Sequence, residues 1–155
     1  MKSNSEGNTA GELTKVLKDL FVSQRLAVLS TQGQGQPYSS LVAFAEADDL
    51  RTLLFATLRS TRKFSNLTED HRVAMLVDSR SNRESDFHNA VAVTAVGRAE
   101  EATGVDRERL MEVYLLKHPH LADFAASPGN ALVRVSIDDY VVSRFQRVLS
   151  LRMPG

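Results

Sequence analysis

Hydroxyl and cationic side chains are concentrated in one short segment, TLRSTRKFSNL, which spans residues 57–67. The segment follows the apolar run LLFA and leads into residues with the spacing of a short helix, whose apolar positions are Phe64 and Leu67. Its candidate donors are Thr57, Arg59, Ser60, Thr61, Arg62 and Lys63. Such groups beside a helix N-terminus are suited to bind an anion, because the helix end adds unpaired backbone N–H groups.

The position of two of these cations is informative. Ser60 or Thr61 is a suitable N-cap, which places Arg62 and Lys63 in the first turn of the helix. Cations there oppose the helix dipole and lower the stability of the helix unless an anion lies in front of them. A phosphate monoester, with about −1.5 to −2 charges at neutral pH, meets this requirement. A solvent-exposed basic turn without a ligand explains the same residues, and the spacing leaves both interpretations open.

A second polar segment, DSRSNRESDFHNA at residues 78–90, lies between two apolar runs and is longer than a tight hairpin requires. Loops of this length in compact domains are often functional. The candidate ligand contacts are Arg80, Ser81, Asn82 and Arg83. An ordinary surface loop is the alternative.

Metal and nucleotide motifs are weak in this chain. His118, His120 and Asp123 are close in sequence, but Pro119 interrupts the helix that would align them. No zincin spacing occurs, so we expect no metal site. The stretch GQGQP lacks the third glycine and the following helix of a dinucleotide-binding fingerprint, and it predicts a turn.

The composition argues against several classes of protein. Nineteen Lys and Arg residues balance nineteen Asp and Glu residues, so the formal net charge is zero and nucleic-acid binding is not expected. The chain has no cysteine, which excludes disulfides and thiolate metal sites and fits a cytoplasmic location. No apolar run approaches the roughly 20 residues of a membrane helix, and the polar start does not match a signal peptide. We therefore expect no membrane association.

The hydrophobic pattern predicts one domain of mainly β class. Residues 1–8 are expected to form a flexible tail, and residues 9–150 the domain. Helical spacing of apolar residues predicts a helix over 9–24, with Thr9 and Glu12 as a capping box.

Short alternating or β-branched runs predict strands at 25–31, 38–47, 51–57, 72–78, 89–102 and 131–148, the last being one long strand or two. A helix over 106–118, followed by a further turn or two, predicts a helical insert. So many short strands favour a small barrel or sandwich over a parallel α/β sheet.

The order of these elements and motifs resembles the FMN-binding split β-barrel family named after pyridoxamine 5′-phosphate oxidase, over residues 12–148. FATLRSTRKFSNL is similar to the strand and Ser-Arg-Lys segment with which that family grips the FMN phosphate. Residues 77–101, with VDSRSN and AVTAVGRAEE, resemble members found in bacterial flavin-binding and haem-utilisation proteins. The resemblance implies a six- to seven-stranded antiparallel split β-barrel with an N-terminal helix, a short helix after the third strand and a helical insert.

The resemblance also implies roles for individual residues. Arg62 and Lys63 would hold the FMN phosphate, with further donors from Thr57, Ser60 and Thr61. The backbone of one strand would follow the isoalloxazine edge, at Ser39, Ser40, Leu41 and Val42. The family is dimeric with flavins at the subunit interface, so a second set would reach the flavin of the partner chain: Arg80, Ser81, Asn82, Arg144 and Gln146.

The chain departs from the oxidase proper in two places. The oxidase has an arginine and a lysine on the strand that matches residues 39–44, where this chain has Ser39 and Phe44. The oxidase's C-terminal tail, with a tryptophan and arginines for pyridoxal phosphate, has no counterpart, and this sequence has no tryptophan. The resemblance thus implies the fold and the cofactor and argues against oxidation of pyridoxamine phosphate.

Three functions follow from these observations. The main prediction is an FMN-dependent oxidoreductase, a homodimer that acts on a small-molecule substrate or electron donor, with no catalytic acid or base identified. A non-enzymatic haem- or flavin-binding protein is the first alternative, with His88, His118 and His120 as candidate axial ligands. An F420-binding reductase ranks below FMN, because few additional cations flank residues 57–63.

Overall fold

The computed structural model describes residues 3–145 and 147–155, with side chains described from residue 9 onward. Within these residues the structure contains seven strands and five α-helices. The strands are β1 (Leu26–Gly33), β2 (Gln36–Glu46), β3 (Thr52–Leu58), β4 (Arg72–Asp78), β5 (Ala92–Glu101), β6 (Asn130–Arg144) and β7 (Arg147–Arg152). The helices are α1 (Ser3–Ser23), α2 (Arg62–Glu69), α3 (Asp86–Asn89), α4 (Gly104–Lys117) and α5 (Ala122–Ala126), with a 3₁₀ turn at Pro119–Leu121.

Six of the strands close into an antiparallel barrel in the order β1–β2–β3–β6–β5–β4, and β4 returns to β1. The long β6 pairs with β3 through its first half, from Asn130 to Ser136, and with β7 through its second half, from Asp139 to Arg144. The predicted mainly β fold, an antiparallel barrel with an N-terminal helix, a short helix after the third strand and a helical insert, is confirmed. The last predicted segment is two strands.

One pair of neighbouring strands in this barrel separates after a short contact. β2 and β3 pair only at Phe44–Phe55, Ala45–Leu54 and Glu46–Leu53. Beyond Phe44, residues 36–43 of β2 pair with β1 alone, and residues 56–58 of β3 pair with β6 alone. The wedge-shaped opening between residues 41–43 and 56–58 is called the split below.

The barrel interior and α1 form the main core. The apolar stripe of α1 is buried at Leu13, Leu17, Leu20 and Phe21, as its spacing predicted. Phe21 packs edge-on against Phe44, with ring centroids 5.6 Å apart. The helix begins at Ser3 rather than at residue 9, so the predicted capping box is wrong: Thr9 lies inside the helix. Met1 and Lys2 lie outside the described residues, and flexibility of residues 1–8 stays a prediction.

The helical insert, α4 to α5, packs on the outside of the barrel through a second apolar cluster that includes Leu54, Leu110, Tyr114, Ala125 and Leu132. Polar side chains at the C-terminal end of α4 and at its cap also bond to successive residues of β2. The Tyr114 hydroxyl donates to Ala43 O at 3.1 Å, and His118 Nε2 lies 2.6 Å from Phe44 O. Because a carbonyl only accepts hydrogen bonds, His118 carries its proton on Nε2.

Lys117 completes this attachment of the insert. Its ammonium group donates to Phe21 O at 2.6 Å and to both carboxylate oxygens of Glu46 at 3.1 Å, and it lies 3.9 Å from the centroid of the Phe44 ring. The insert is therefore tied to both β2 and α1. Burial lowers the pKa of the Lys117 ammonium, and the nearby Glu46 carboxylate opposes that effect.

None of the described helices is long and apolar enough to cross a membrane.

The backbones of β5 and β6 approach each other closely at Gly97, so a substitution at this position tests the described strand register. The β5–β6 register shifts between Val96 and Gly97, and a Cβ atom at Gly97 would overlap the carbonyl oxygen of Ser136. We expect Gly97→Ala to lower the free energy of unfolding by about 1–3 kcal/mol, the usual cost of overpacking. Gly129→Ala is the matched control, because a Cβ there meets no atom within 4 Å. Equal stability of the two variants in urea unfolding would contradict the described register.

His118 provides a pH test of the insert's attachment. Burial, followed by the charges of Lys117 and His120, lowers the pKa of His118 below its ordinary value of 6.5, although the bond to Phe44 O and the Glu46 charge oppose this. As the pH falls below about 6.5, the unfolded chain takes up a proton that the folded chain does not, so stability falls with it. In denaturant unfolding between pH 8 and 5.5, His118→Gln should flatten this dependence. His88→Gln, at an exposed position of α3, should retain it.

Candidate functional site

The split forms a groove of about 330 Å³ on the surface of the barrel, here called the split groove. Both diverging strands, the start of α2 and the helical insert contribute to it. Its lining residues are Leu41, Val42, Ala43, Ala56, Thr57, Leu58, Thr61, Lys63, Tyr114, Leu121 and Phe124. The structure therefore brings together five residues predicted from sequence, Leu41, Val42, Thr57, Thr61 and Lys63.

The polar end of the split groove is the start of α2. Thr61 is the N-cap, and its Oγ1 accepts a hydrogen bond from Phe64 N at 3.4 Å. Thr57 Oγ1 and Thr61 Oγ1 lie 3.2 Å apart, and Thr61 Oγ1 donates to Leu58 O at 2.8 Å. Two hydroxyl groups thus meet at the positive end of a helix, as predicted, and a ligand anion can accept from either by rotation of the hydroxyl.

Only one of the three cations in the opening segment lines this groove. Lys63 does so, and within the described residues its ammonium group has no hydrogen bond or ion pair. The Arg62 guanidinium is exposed and lies 4.8 Å from the centroid of the Tyr38 ring. Arg59 donates to Glu101 Oε1 and to Pro128 O, so it links β3 to the end of the insert. Ser60 is exposed in the turn and does not line the groove.

The rest of the split groove is apolar and open to solvent. Leu41, Leu58 and Phe124 are 64%, 46% and 41% exposed, which is high for large apolar side chains. Backbone groups also face it: Phe44 N bonds to Arg25 O on the β1 side, so the alternation of an antiparallel strand turns the N–H and C=O of Leu41 toward the split. The groove can hold a flat apolar ring system with polar groups along one edge.

The remaining residues predicted on β2 lie elsewhere. Ser39 is exposed. Ser40 pairs with Leu29 in the β1–β2 register, and its Oγ is buried with no hydrogen-bond partner among the described residues. Neither side chain lines the split groove.

Asn66 fixes α2 on the barrel and was missed in the sequence. Its buried Nδ2 donates to Thr31 Oγ1 at 3.1 Å, and Gly33 leaves room for its side chain, since a Cβ there would overlap Asn66 Oδ1. Gln32 Nε2 donates to Asp70 Oδ2 at 2.6 Å at the other end of the helix. Hydrogen bonds and charge from Arg72 hold the pKa of Asp70 far below its ordinary value. The available signal was an amide between the apolar positions Phe64 and Leu67.

The predicted loop residues are separate from the split groove. Arg80 forms an ion pair with Asp78 at 3.0 Å. Asp86 accepts hydrogen bonds from Ser81 N, Ser81 Oγ and Asn82 N at 2.8–3.0 Å, and these bonds lower the pKa of Asp86. The donors of Ser81 and the N–H of Asn82 are therefore engaged within the chain.

Arg80 and Arg144 meet in a second groove of about 440 Å³ at the ends of β4, β5 and β6. Phe145 also lines it, and its ring packs against that of Phe87 with centroids 4.9 Å apart. Gln146 lies outside the described residues. Within one chain, Arg80 and Arg144 thus line a different groove from the predicted residues at the split, and Ser81 and Asn82 line neither. Contact of this second set with a partner's flavin stays a prediction.

No histidine lines the split groove. His118 is bonded to Phe44 O, and His71 Nδ1 lies 3.1 Å from Ala99 O. His88 and His120 are exposed. Among the described residues, no three His, Cys, Asp or Glu side chains are grouped as a metal site would require.

Solved structures with the same fold bind different groups. The haem-binding protein from Mycobacterium smegmatis superposes with a TM-score of 0.77 and 16% identity, over 86% of this chain and 55% of that one, so this chain spans just over half its length. The FAD-binding protein from Mesorhizobium loti superposes with a TM-score of 0.66 and 18% identity, over 83% of this chain and 90% of that one. A putative pyridoxamine 5′-phosphate oxidase from Listeria innocua superposes with a TM-score of 0.63 and 15% identity, over 88% of this chain and 98% of that one. At these identities the likeness shows the fold alone.

The sequence itself gives a family assignment. No curated protein matches the chain significantly. The family model described as pyridoxamine 5′-phosphate oxidase matches residues 13–141, from the buried stripe of α1 into the second half of β6. Because this match covers most of the chain, including the split and α2, the protein belongs to the pyridoxamine 5′-phosphate oxidase family.

Proposed function

We propose that the protein binds FMN in the split groove and acts as an FMN-dependent oxidoreductase on a small-molecule substrate. The observation that carries this proposal is the polarity of the groove. An unpaired ammonium and two hydroxyls stand at a helix N-terminus at one end, and an apolar slot with a strand backbone along its edge forms the rest.

The phosphate end fits a doubly ionised ester. Thr57 and Thr61 supply hydroxyl donors, Lys63 supplies a positive charge, and α2 adds the N–H groups of its first turn. Lys63 in that position lowers the stability of α2 when no anion is present. A phosphate reverses the sign of this interaction, which explains a lysine at the N-terminus of a helix with no acidic residue in its first turn.

The ring end fits an isoalloxazine. Leu41 and Leu58 would contact the ring from the two diverging strands, and the backbone of Leu41 would bond its polar edge. Bound FMN supplies hydride or electron transfer, and the chain's own residues orient the cofactor and exclude water from one side of it. FAD has the same isoalloxazine ring and the same first phosphate as FMN, and one structural neighbour is an FAD-binding protein. These facts support a flavin ligand without distinguishing FMN from FAD.

Haem and F420 are less well supported by this groove. One structural neighbour is a haem-binding protein, but no histidine lines the groove in this chain, so an axial ligand would have to come from elsewhere. F420 carries additional carboxylates on its tail, and Lys63 is the single cation among the groove's lining residues.

We also propose that two copies form a homodimer through the outer face of the barrel. A row of neighbouring side chains crosses five strands on that face: Leu41, Val28, Leu76, Thr94 and Val141. The row begins in the split groove at Leu41 and ends on β6, whose last residues line the second groove. A two-fold axis along the middle strands would place the second groove of one copy, with Arg80 and Arg144, over the split groove of the other.

Lys63 and Arg62 form a matched pair for testing the phosphate assignment. We expect Lys63→Ala to weaken FMN binding about 10- to 100-fold, because a charge-assisted hydrogen bond contributes about 1.5–3 kcal/mol. Arg62→Ala, which removes the guanidinium over Tyr38, should weaken it less. Titration of the flavin fluorescence measures both. Riboflavin, which has no phosphate, should bind both variants as it binds the wild type; an equal loss for both flavins would mean that Lys63 supports the fold alone.

Leu76 tests the dimer. We expect Leu76→Glu to convert the dimer to a monomer in sedimentation velocity, because it places a charge at the centre of the apolar row. Flavin affinity should fall with it if the sites lie at the interface. Val105→Glu is the control, since Val105 is an apolar side chain 80% exposed on α4 and outside the row. A wild-type protein that sediments as a monomer would rule out the dimer.

A further inference from the structure

A groove of about 190 Å³ lies between α1 and the hairpin that β6 and β7 form, and it is here called the hairpin groove. Half of its lining is apolar: Leu13 and Val142 are buried, and Val16 and Leu149 are half-buried. The other lining side chains are polar, namely Thr9, Glu12, Arg144 and Arg147. The hairpin groove shares no lining residue with the split groove, so what it binds is independent of the proposed function.

Two arginines lie directly opposite each other on the side of the hairpin that faces this groove. Arg144 of β6 pairs with Arg147 of β7, and Val142 pairs with Leu149 in the same ladder. Alternate residues of a strand share a face, and opposed residues of an antiparallel pair project to the same side. Both arginines therefore stand on the face that Val142 and Leu149 turn toward α1. Like charges in this relation destabilise a sheet.

The charge of this arginine pair is not balanced within the part of the chain that the structure describes. No acidic side chain there forms an ion pair with Arg144 or Arg147, although Glu12 lines the same groove. Across the second groove, which Arg144 also lines, Asp78 is paired with Arg80 instead. Two guanidinium groups and one carboxylate leave the hairpin groove with a surplus of one positive charge, so its complementary ligand is a monoanion.

We propose that the hairpin groove binds a small carboxylate with an apolar body, such as a short-chain fatty acid. The carboxylate lies between Arg144 and Arg147, because each guanidinium presents a fork of N–H donors that matches two carboxylate oxygens. The apolar body packs against the apolar half of the lining, in a volume equal to about six water molecules. The bound charge replaces the repulsion between the two arginines by attraction to a shared anion, which explains why two cations are opposed there.

Methyl NMR tests the site with three probes of different chemistry. We expect hexanoate to shift the methyl signals of Leu13, Val16, Val142 and Leu149 saturably, with a dissociation constant of about 1 mM or below. 1-Hexanol lacks the charge and inorganic phosphate lacks the apolar body, so each should bind about tenfold more weakly or worse. Absence of saturable shifts up to about 20 mM hexanoate, or tighter binding of phosphate than of hexanoate, would overturn the proposal.

Arg147→Gln and Arg152→Gln form a matched pair of variants on one strand. Arg152 is ion-paired with Asp139 and does not line the hairpin groove. We expect Arg147→Gln to weaken hexanoate binding about tenfold or more, the usual contribution of a charge-assisted hydrogen bond, and Arg152→Gln to leave it unchanged. Glu12→Gln should strengthen binding, because it removes the negative charge from the groove. Wild-type affinity in Arg147→Gln would contradict the assignment.

The repulsion between Arg144 and Arg147 can be measured without a ligand. In urea unfolding at low ionic strength, Arg147→Gln should be at least as stable as the wild type, because it removes one of two opposed like charges. Any gain should disappear in about 1 M salt, which screens the repulsion. If Arg147→Gln were less stable than both the wild type and Arg152→Gln, Arg147 would be holding the hairpin through contacts within the chain, and the proposal would be wrong.

Discussion

The three-residue pairing between β2 and β3 is the constraint on which the rest of this structure depends. β2 pairs with β1 over eight residues and β3 pairs with β6 over seven, so each strand is held by its other neighbour. The two strands can therefore separate at little cost, provided that the backbone groups left at the opening find partners. β1 and β4 also pair at only three positions, but the β2–β3 seam is the one that opens beside the start of α2, and there a ligand can contact backbone and side chains together.

The helical elements are arranged around that seam. Only three residues separate the end of β3 from the start of α2, so the N-terminus of α2 and the Thr57–Thr61 hydroxyl pair necessarily lie at the mouth of the split. The helical insert comes from a segment much later in the chain, and it lines the same groove with Leu121 and Phe124. It is attached to β2 by Tyr114 and Lys117 of α4 and by His118, the residue that caps this helix, so the insert cannot shift without releasing several buried polar groups.

Much of the fold was predictable because its signals are local. Alternating apolar residues located the strands, and helical spacing located the stripe of α1. A hydroxyl before an amphipathic turn predicted Ser60 or Thr61 as the N-cap, and the structure shows Thr61. The family motif placed Lys63, Thr57 and Leu41 in one site. The start of α1 was predicted too late, because Thr9 and Glu12 have capping-box spacing although the helix continues through them.

The parts of the site that sequence reasoning missed depend on contacts between distant segments. Periodicity showed that Tyr114 lies on the apolar face of a helix, but not that its hydroxyl would bond to Ala43, about 70 residues earlier in the chain. Neighbouring cations are separated for a related reason: consecutive helical residues point about 100° apart, so Lys63 faces the groove while Arg62 lies over Tyr38. Ser81 appeared to be a free donor because nothing in the loop's sequence showed that Asp86 would occupy it.

The charge distribution along the split groove bears on which ligands it can hold. Lys63 is its single cation, and the groove contains no acidic side chain and no histidine, so one compact anion at the α2 end is matched and a ligand with several separated charges is not. Most of the groove's polar capacity is backbone, held in place by strands that are paired on their far sides and so unable to adjust. Such fixed dipoles favour a rigid planar ligand with donors and acceptors along one edge over a flexible one, and they orient that ligand without an ionisable side chain. If the groove holds the proposed flavin, the chemistry resides in that ring, and the chain's contribution is the geometry of an opening that its own strands do not close.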